Sequence, residues 1–484
     1  MGAPSDALRD TRHAPVVRPR DGEPPRAPET PQRNAATATM PRRRPNAAAL
    51  AWAAIYLLLA AAPLALSLIS LDPGRGFWVN LSVALGFVAL ALLGLQFALA
   101  ARSAKTTAPL GIDVILQFHR EVTGIIVLFV LAHPIILFIW DPRFLKLMNI
   151  WTSPWRAKLA VISVLALLVL AITSIYRARM RISYPVWQAL HAALAVIIVI
   201  TALAHVVLIG YYVDETWEKA LWIAYSAVFV WIGFWVRIIK PLQRMRRRLR
   251  VVEVRQELGN CHTLVLEPVR PSAFGPTGLR FAPGQFAWIL LGRSPFAMTY
   301  HPFSFASSAE HPEQICFTVK AFGAFTSGLH DVKPGQSVYL DGPWGDFTPD
   351  RHDAGGLVLM AGGVGITPML SVLMTLHDRG DQRPRWLFYA ARDEQSLTAR
   401  AELDRLAAAE NVTVIYVLSH PSAAWTGERG HVDSALLERV LPPDRADFHY
   451  FICGPEPMMD AAEDAALGAG APAHTVHSER FAMA

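Results

Sequence analysis

Four histidines are notable because they occur inside long apolar segments, where polar side chains are costly and tend to be functional. His119 and His133 lie in one segment, and His191 and His205 lie in another, and the members of each pair are fourteen residues apart. In an α-helix, fourteen residues return to within about 40° of the starting direction, so both members share one face. They are then roughly 21 Å apart along the helix axis.

Facing imidazoles in a helix bundle are the axial ligands that a six-coordinate b-type haem takes. A single histidine in a span more often forms a hydrogen bond within the bundle. The two matched pairs, with no other histidine in the predicted spans, favour ligation of haem iron by all four. We expect His119 to meet His191 near one membrane face, and His133 to meet His205 near the other.

Six apolar runs must position these histidines, and each has about 20 residues or more, the length that a bilayer requires. Such runs agree with a hydrophobic content of 53% and a mean hydropathy of +0.30. Since one run separates the two that carry histidines, those two run in the same direction. The predicted spans are Ala47–Leu71, Gly76–Ala101, Gln117–Trp140, Lys158–Tyr176, Val186–Val213 and Trp217–Ile239.

The net charge of +6 comes largely from arginines that flank these runs. Arg177, Arg179 and Arg181 follow the fourth run, and Arg244–Arg250 follows the sixth. Basic flanks stay in the cytoplasm, so we predict a multi-pass protein of the cell membrane with both termini cytoplasmic. This placement argues against nucleic-acid binding, and three scattered cysteines argue against a disulfide framework.

Changes in composition along the chain predict four regions. Residues 1–46 are rich in Pro, Arg and Ala, as in a disordered tail, and residues 47–240 are the six-span helical bundle. Residues 248–350 contain short β-rich segments that indicate an antiparallel β-barrel, and residues 351–484 alternate strands and helices as an α/β nucleotide-binding domain does. The predicted fold class is therefore a multi-domain membrane protein: an all-α six-helix bundle, then a β-barrel, then an α/β domain. The predicted barrel strands are Val251–Leu258, Thr263–Glu267, Phe286–Leu291, Ile315–Phe322 and Ser337–Leu340.

The histidine pairs, followed by His301-Pro302-Phe303-Ser304 and Gly362-Gly363-Val364-Gly365-Ile366-Thr367-Pro368, resemble the ferric reductase and NADPH oxidase superfamily over residues of about 50 to 484. The resemblance implies an NAD(P)H-dependent flavocytochrome b oxidoreductase. Electrons would pass from cytoplasmic NAD(P)H through FAD and two b-type haems to an acceptor at the outer face. Oxygen and ferric or cupric chelates both stay open as acceptors. The presence of an accessory subunit also stays open.

The resemblance also assigns roles in the flavin segment. Ser304 would lie nearest the flavin N5, where a hydroxyl can form a hydrogen bond, and an aromatic ring such as Phe303 can cover the isoalloxazine. A Gly-rich turn that follows a strand and opens a helix favours a diphosphate. The implied flavin contacts are His301, Pro302, Phe303 and Ser304, with Gly323, Phe325, Thr326 and Ser327 at the diphosphate.

Glycines at a strand-to-helix turn let the chain pass close to a pyrophosphate. The resemblance places a Cys-Gly-Pro motif beside the nicotinamide and a near-terminal aromatic, Phe481, over the flavin. With Ser304, the residues Cys453 and Phe481 are thus the candidate catalytic residues. The implied nucleotide contacts are Gly362, Gly363, Gly365, Thr367, Pro368, Cys453, Gly454 and Pro455.

A 2′-phosphate requires a fixed cation, so Arg392 and Arg429 favour NADPH, while Asp393 and Glu394 nearby leave NADH open. A different class of function also stays open, namely a multi-span metal transporter or sensor with a soluble regulatory domain. Its histidines would bind transition metals directly. It predicts neither bound flavin nor haem absorbance.

Overall fold

The computed structural model describes most of the chain after the N-terminal region. The predicted tail and Phe481 lie outside the described residues. Those residues are 47–67, 76–101, 112–210, 212–271, 279–292, 294–297, 300–408, 411–445 and 447–480.

The first half of the described chain is helical. A 3-10 turn, Pro142–Met148, follows the third helix, and a π-helical segment, Trp235–Ile239, follows the sixth. The helices are α1 Ala47–Ser67, α2 Phe77–Ala100, α3 Ile112–Trp140, α4 Trp155–Ile175, α5 Tyr184–Ile209, α6 Thr216–Phe234 and α7 Lys240–Arg246.

Within the described residues, five helical segments are long and apolar enough to cross a membrane. They correspond to the second to sixth predicted spans, so the protein is a multi-pass membrane protein. The apolar part of α1, Leu50–Ala65, is shorter than these five, and a sixth span stays a prediction. Beyond its first turns, α3 exposes large apolar side chains, with Leu128 63% and Ile139 77% exposed, as expected of a surface that faces lipid.

Helix α1 is held against α6 by a hydrogen bond to a backbone carbonyl group that lacks its usual helical donor. Pro63 lies inside α1 and has no N–H to donate to the carbonyl oxygen of Leu59 one turn earlier. The Tyr225 hydroxyl on α6 donates to that carbonyl oxygen at 3.1 Å. The polar group that the proline leaves without its helical partner is therefore satisfied from the neighbouring helix.

The helices that carry the histidines pack on each other through aliphatic side chains. Val127 and Val130 of α3 lie in one cluster with Leu194 and the buried Ile198 of α5. These contacts fall between the two histidines of each helix. In addition, α2 packs on α3 and α4 packs on α5.

Six strands after α7 form a curled antiparallel sheet, the first sheet, in the order β4-β3-β6-β1-β2-β5. The sequence predicts a closed barrel with five strands and misses β4. The edge strands β4 and β5 form no ladder in the described residues, although the Ala306 N–H, just after β4, donates to the Cys316 carbonyl oxygen on β5 at 2.8 Å. The strands are β1 Leu249–Glu257, β2 Cys261–Pro268, β3 Phe286–Leu291, β4 His301–Ser304, β5 Ile315–Lys320 and β6 Ser337–Trp344.

The last third of the chain is an α/β domain with a parallel second sheet in the order β10-β9-β8-β7-β11-β12. Helices α9 and α10 cover one face and α11 and α12 the other. A one-turn helix, α8 Ala324–Ser327, precedes this domain. Its strands and helices are β7 Gly356–Gly362, α9 Ile366–Asp378, β8 Arg385–Ala391, α10 Arg400–Ala407, β9 Val412–Leu418, β10 Glu428–Arg429, α11 Ser434–Val440, β11 Phe448–Cys453, α12 Glu456–Gly468 and β12 Val476–Glu479.

An ion pair joins the helical bundle to the first sheet. Arg244 on α7 contacts Asp341 on β6 at 2.5 Å, and both side chains are only 14% exposed. The Arg244 guanidinium also lies 4.9 Å from the ring centroid of Tyr300, the residue before β4. The end of the last membrane helix is thereby fixed to the strand that begins with His301.

We expect Asp341→Asn to lower the free energy of unfolding of the first sheet by about 2–3 kcal/mol, because it leaves a mostly buried guanidinium without its counter-charge. Thermal unfolding of the detergent-solubilised protein, followed by flavin fluorescence, measures this change. Glu267→Gln is the control, since its exposed pair with Arg250 contributes less than about 1 kcal/mol. Equal losses of stability in Asp341→Asn and Glu267→Gln would contradict the stabilising role assigned to the Arg244–Asp341 ion pair.

Candidate functional site

The structure brings the four membrane histidines together in two pairs. The ring centroids of His119 and His191 lie 6.4 Å apart, and those of His133 and His205 lie 6.5 Å apart. With metal–nitrogen bonds of about 2 Å, two imidazoles on opposite sides of one metal ion have centroids roughly 6–6.5 Å apart. Both separations therefore fit axial ligation of an iron ion between the rings.

Three of the four imidazoles have the Nδ1 atom held by a neighbour. Nδ1 of His133 donates to the Ser82 carbonyl oxygen at 2.8 Å, and Nδ1 of His205 donates to the Arg156 carbonyl oxygen at 2.7 Å. Nδ1 of His191 lies 3.4 Å from the Ser174 hydroxyl. Metal-binding histidines use this arrangement, because a hydrogen bond at one nitrogen orients the other towards the metal.

His119 is the exception, since its Nδ1 is buried and has no hydrogen-bond partner among the described residues. A buried polar atom without a partner costs about 1–3 kcal/mol. His119 therefore lacks the hydrogen bond that orients the other three rings, and only its ring separation from His191 supports a metal ion between the helices.

Sequence reasoning missed the residues that orient these rings. Ser82 belongs to α2, and its hydroxyl also donates to the His133 carbonyl oxygen at 2.7 Å. Gly86, one turn later, lies against the same ring, since a Cβ there would lie in van der Waals contact with His133 Nδ1 at 3.4 Å. A serine and a glycine in an apolar helix are a weak signal, and nothing in the sequence pairs them with a histidine about 50 positions away.

The predicted flavin residues lie on β4 and on the turn that includes α8. Ser304 is buried, and its Oγ has no hydrogen-bond partner among the described residues. His301 and Phe325 stack with ring centroids 3.9 Å apart, and Phe303 lies 6.2 Å from Phe325. Burial lowers the pKa of His301, so the ring is neutral at physiological pH. The site therefore combines an aromatic wall with one unpartnered hydroxyl.

The candidate diphosphate turn is shaped by Thr326. Its hydroxyl oxygen accepts from the backbone N–H groups of Phe322 and Gly323, both at 2.9 Å. Ser327 closes the turn by donating its N–H to the Gly323 carbonyl oxygen at 2.8 Å. This network fixes the backbone at the start of α8, which also holds the ring of Phe325 beside His301.

Two motifs about 90 residues apart meet at the carboxyl edge of the second sheet. Strands β7 and β11 are parallel neighbours, with Ala361 opposite Cys453. A Cβ at Gly365 would lie 2.2 Å from the Cys453 carbonyl oxygen, and one at Gly454 would lie 3.0 Å from Gly362 Cα. The two backbones approach so closely that a side chain at Gly365 would overlap the chain at Cys453, so glycine permits this contact between the two turns.

The Cys453 thiol is fully buried, and burial raises its pKa well above the ordinary value, with the nearby Glu479 adding to the effect. The thiol is therefore protonated and is not a nucleophile at physiological pH. Glu479 is the residue opposite Cys453 on β12 and was not a predicted site residue. Thr367 is buried in α9, and its hydroxyl donates to the Val364 carbonyl oxygen at 2.7 Å, which stabilises the turn.

The two predicted phosphate-binding arginines differ in their surroundings. Arg392 is exposed after β8, and its guanidinium has no partner among the described residues, whereas Arg429 donates to the carbonyl oxygens of Ser422 and Trp425. The acidic neighbours of Arg392 are engaged elsewhere. Asp393 accepts from Ser396 at 2.7 Å, and Glu394 accepts from the Ser422 hydroxyl at 2.5 Å.

Comparison with known proteins finds three families that match successive parts of the chain. Residues 85–202 match the family described as ferric reductase like transmembrane component. Residues 248–346 match an FAD-binding domain, and residues 359–464 match an oxidoreductase NAD-binding domain. The chain therefore has an FAD-binding and an NAD(P)-binding domain, as predicted.

Individual relatives share part of the chain. A NADH-cytochrome b5 reductase 2 from Scheffersomyces stipitis is 30% identical over 33% of this chain and 55% of its own length. The reductase component of a Rhodococcus jostii propane 2-monooxygenase is 29% identical over 50% and 64%. The crystal structure of an Amycolatopsis cytochrome P450 reductase is 25% identical, with 49% of this chain and 70% of that chain covered and a TM-score of 0.42. The chain thus spans between about half and two thirds of the two curated relatives.

We expect Gly365→Ala to abolish or strongly weaken reduction of the flavin by NAD(P)H, because the new methyl group would overlap the Cys453 carbonyl oxygen and separate the two turns. FAD content should not change. Gly380→Ala is the control, since it has a φ of +65° but open space around the new Cβ and costs only about 1–2 kcal/mol of backbone strain. Steady-state KM values and flavin stoichiometry test this prediction, which a wild-type KM in Gly365→Ala would contradict.

Proposed function

The chain belongs to the ferric reductase and NADPH oxidase superfamily, and from that premise we propose that it is an NAD(P)H-dependent flavocytochrome b. In this proposal, electrons from cytoplasmic NAD(P)H cross the membrane through FAD and two b-type haems and reduce a small acceptor at the outer face. The observation that carries the proposal is the pair of imidazole separations, 6.4 and 6.5 Å, on α3 and α5.

FAD, when bound, accepts a hydride and releases electrons singly, and haem iron supplies one-electron carriers within the bundle. The protein's own residues set distances and exclude water. Ser304 presents its hydroxyl to the flavin from a buried position, and Glu479 and the Cys453 thiol border the site of the nicotinamide. Phe481, which lies outside the described residues, keeps its proposed role of covering the flavin.

The direction of transfer is proposed from topology. Helix α6 leads through α7 into the first sheet, and α5 runs antiparallel to α6, so α5 begins at the end of the bundle that adjoins this sheet. His191 lies in the second turn of α5 and His205 near its other end. The His119–His191 pair is therefore nearest the flavin, and the His133–His205 pair lies towards the opposite face.

That opposite face supports a small, diffusible acceptor, either oxygen or a ferric or cupric chelate. The connection after α3 is a 3-10 turn followed by Trp151 and Trp155, which are highly exposed and typical of a membrane interface. The connection from Gly210 to Glu215 is short. Neither connection adds a folded domain that could bind a large substrate.

Spectra of the full-length protein in detergent test the central proposal. We expect a b-type haem band, two haems per FAD, and reduction of both by NAD(P)H under anaerobic conditions. His133→Ala should lose one haem while the remaining haem is still reduced, and His119→Ala should lose the haem nearest the flavin and block reduction of the other. His377→Ala, an exposed histidine on α9, is the control.

A wild-type protein without a haem band, or with haem that neither nucleotide reduces, would overturn the proposal. Binding of a transition metal in place of haem would favour the transporter or sensor. Admission of oxygen or of ferric chelate to the reduced protein then ranks the acceptors by the rate of haem reoxidation.

The choice of nucleotide gives a second prediction. Arg392→Ala should raise the KM for NADPH at least about 10-fold and leave the KM for NADH nearly unchanged, because a charge-assisted contact contributes about 1.5–3 kcal/mol. Arg429→Ala should have a smaller effect, since its guanidinium already binds backbone carbonyls. An equal rise in both KM values for Arg392→Ala would exclude a role in reading the 2′-phosphate.

A further inference from the structure

Three histidines away from the electron-transfer site come together on the α/β domain. His449 lies on β11, His477 lies on β12, and His352 lies in the connection that leads from the first sheet to β7. One nitrogen atom from each ring lies within 4.8 Å of those of the other two. The shortest contact joins His449 Nδ1 and His477 Nε2 at 2.9 Å.

The sheet explains why these rings converge. Side chains two residues apart on a strand share a face, so His449 and Phe451 point to the same side of β11. His477 is the partner of Phe451 in the parallel β11–β12 ladder and shares that face. His352 follows the turn Pro349–Arg351, and its side chain reaches the other two histidines. Its ring centroid lies 4.1 Å from that of His477 and 4.8 Å from that of His449.

The composition of the cluster suits metal binding. Each of the three side chains offers an imidazole nitrogen, and imidazole is the commonest protein ligand of metal ions. The three rings are partly exposed, which leaves a path for an ion to enter, and Phe451 closes the inner side at 4.9 Å from His477.

We propose that His352, His449 and His477 bind one divalent transition-metal ion of the class that imidazole prefers, such as Zn²⁺ or Ni²⁺. In a tetrahedral site with metal–nitrogen bonds of about 2.0–2.1 Å, ligand nitrogens lie about 3.3 Å apart. The nitrogens here lie between 2.9 and 4.8 Å apart, so small side-chain rotations bring them to that separation. Water would complete the coordination.

The ion would cross-link three segments, of which β11 and β12 are already joined by a backbone ladder. It would fix the edge strand β12 to β11, and both to the connection from the first sheet. Cys453 lies on the same face of β11 as His449, about 13 Å along the strand, and Glu479 follows His477 by two residues. The site therefore stabilises the strand ends that border the nicotinamide. It depends on neither the haems nor the acceptor.

Zinc titration of the full-length protein tests this proposal. The protein is purified with a histidine-free affinity tag, stripped with EDTA, and titrated with Zn²⁺ against a chelating fluorescent indicator. We expect one Zn²⁺ per chain, with the affinity reduced at least 10-fold in His352→Ala and in His449→Ala. His431→Ala, an exposed histidine of the same domain, should bind as the wild type does.

The midpoint of thermal unfolding, measured with and without Zn²⁺, distinguishes loss of the metal site from failure of a variant to fold. Zn²⁺ should raise the midpoint of unfolding of the wild type, as any ligand specific for the folded state does, but should not raise that of His352→Ala, whose change lies in a connecting segment. FAD content verifies that each variant is folded, and unchanged haem content separates this site from the membrane histidines. Absence of zinc binding in the wild type, or equal affinity in the wild type and His352→Ala, would overturn the proposal.

Discussion

In the proposed flavocytochrome, the separation between α3 and α5 would govern the electron path, because it sets the distance between the rings of both histidine pairs. The two helices run in the same direction, and each carries its histidines fourteen residues apart, so one helix–helix contact sets both ring separations. A shift of one residue in either helix would turn its rings by about 100° away from their partners. Val127 and Val130 against Leu194 and Ile198 fill the space between the pairs and so oppose such a shift.

The orientation of the rings depends on helices that carry no histidine. Ser82 of α2 holds His133, and Arg156 and Ser174, at opposite ends of α4, hold His205 and His191. The four helices α2 to α5 thus form one unit, whereas α1 and α6 pack outside it. The match to the ferric reductase like transmembrane component, residues 85–202, runs from α2 into α5 and covers most of this unit.

Features set by local periodicity were predictable from the sequence, and features set by distant partners were not. Apolar length predicted six spans, and five of them correspond to described helices long and apolar enough to cross a membrane. The Gly-rich turn after β7 followed from its strand-to-helix composition. The short strand β4 was missed because Pro302 removes a backbone donor and because its four residues show no alternation; it is a strand only through its pairing with β3. The Arg244–Asp341 pair and the Ser82–His133 contact join positions about 100 and 50 residues apart, which composition cannot relate.

The two ends of β11 illustrate how one strand can serve two sites. At its carboxyl end, Cys453 and Gly454 approach the glycines of the β7 turn so closely that side chains are excluded between the two backbones. At its amino end, His449 meets two more imidazoles instead. Because residues two apart share a face, His449, Phe451 and Cys453 lie in one row. In the proposals made above, a metal ion at the histidine end would act on the nicotinamide edge through the position of the strand, without touching the nucleotide.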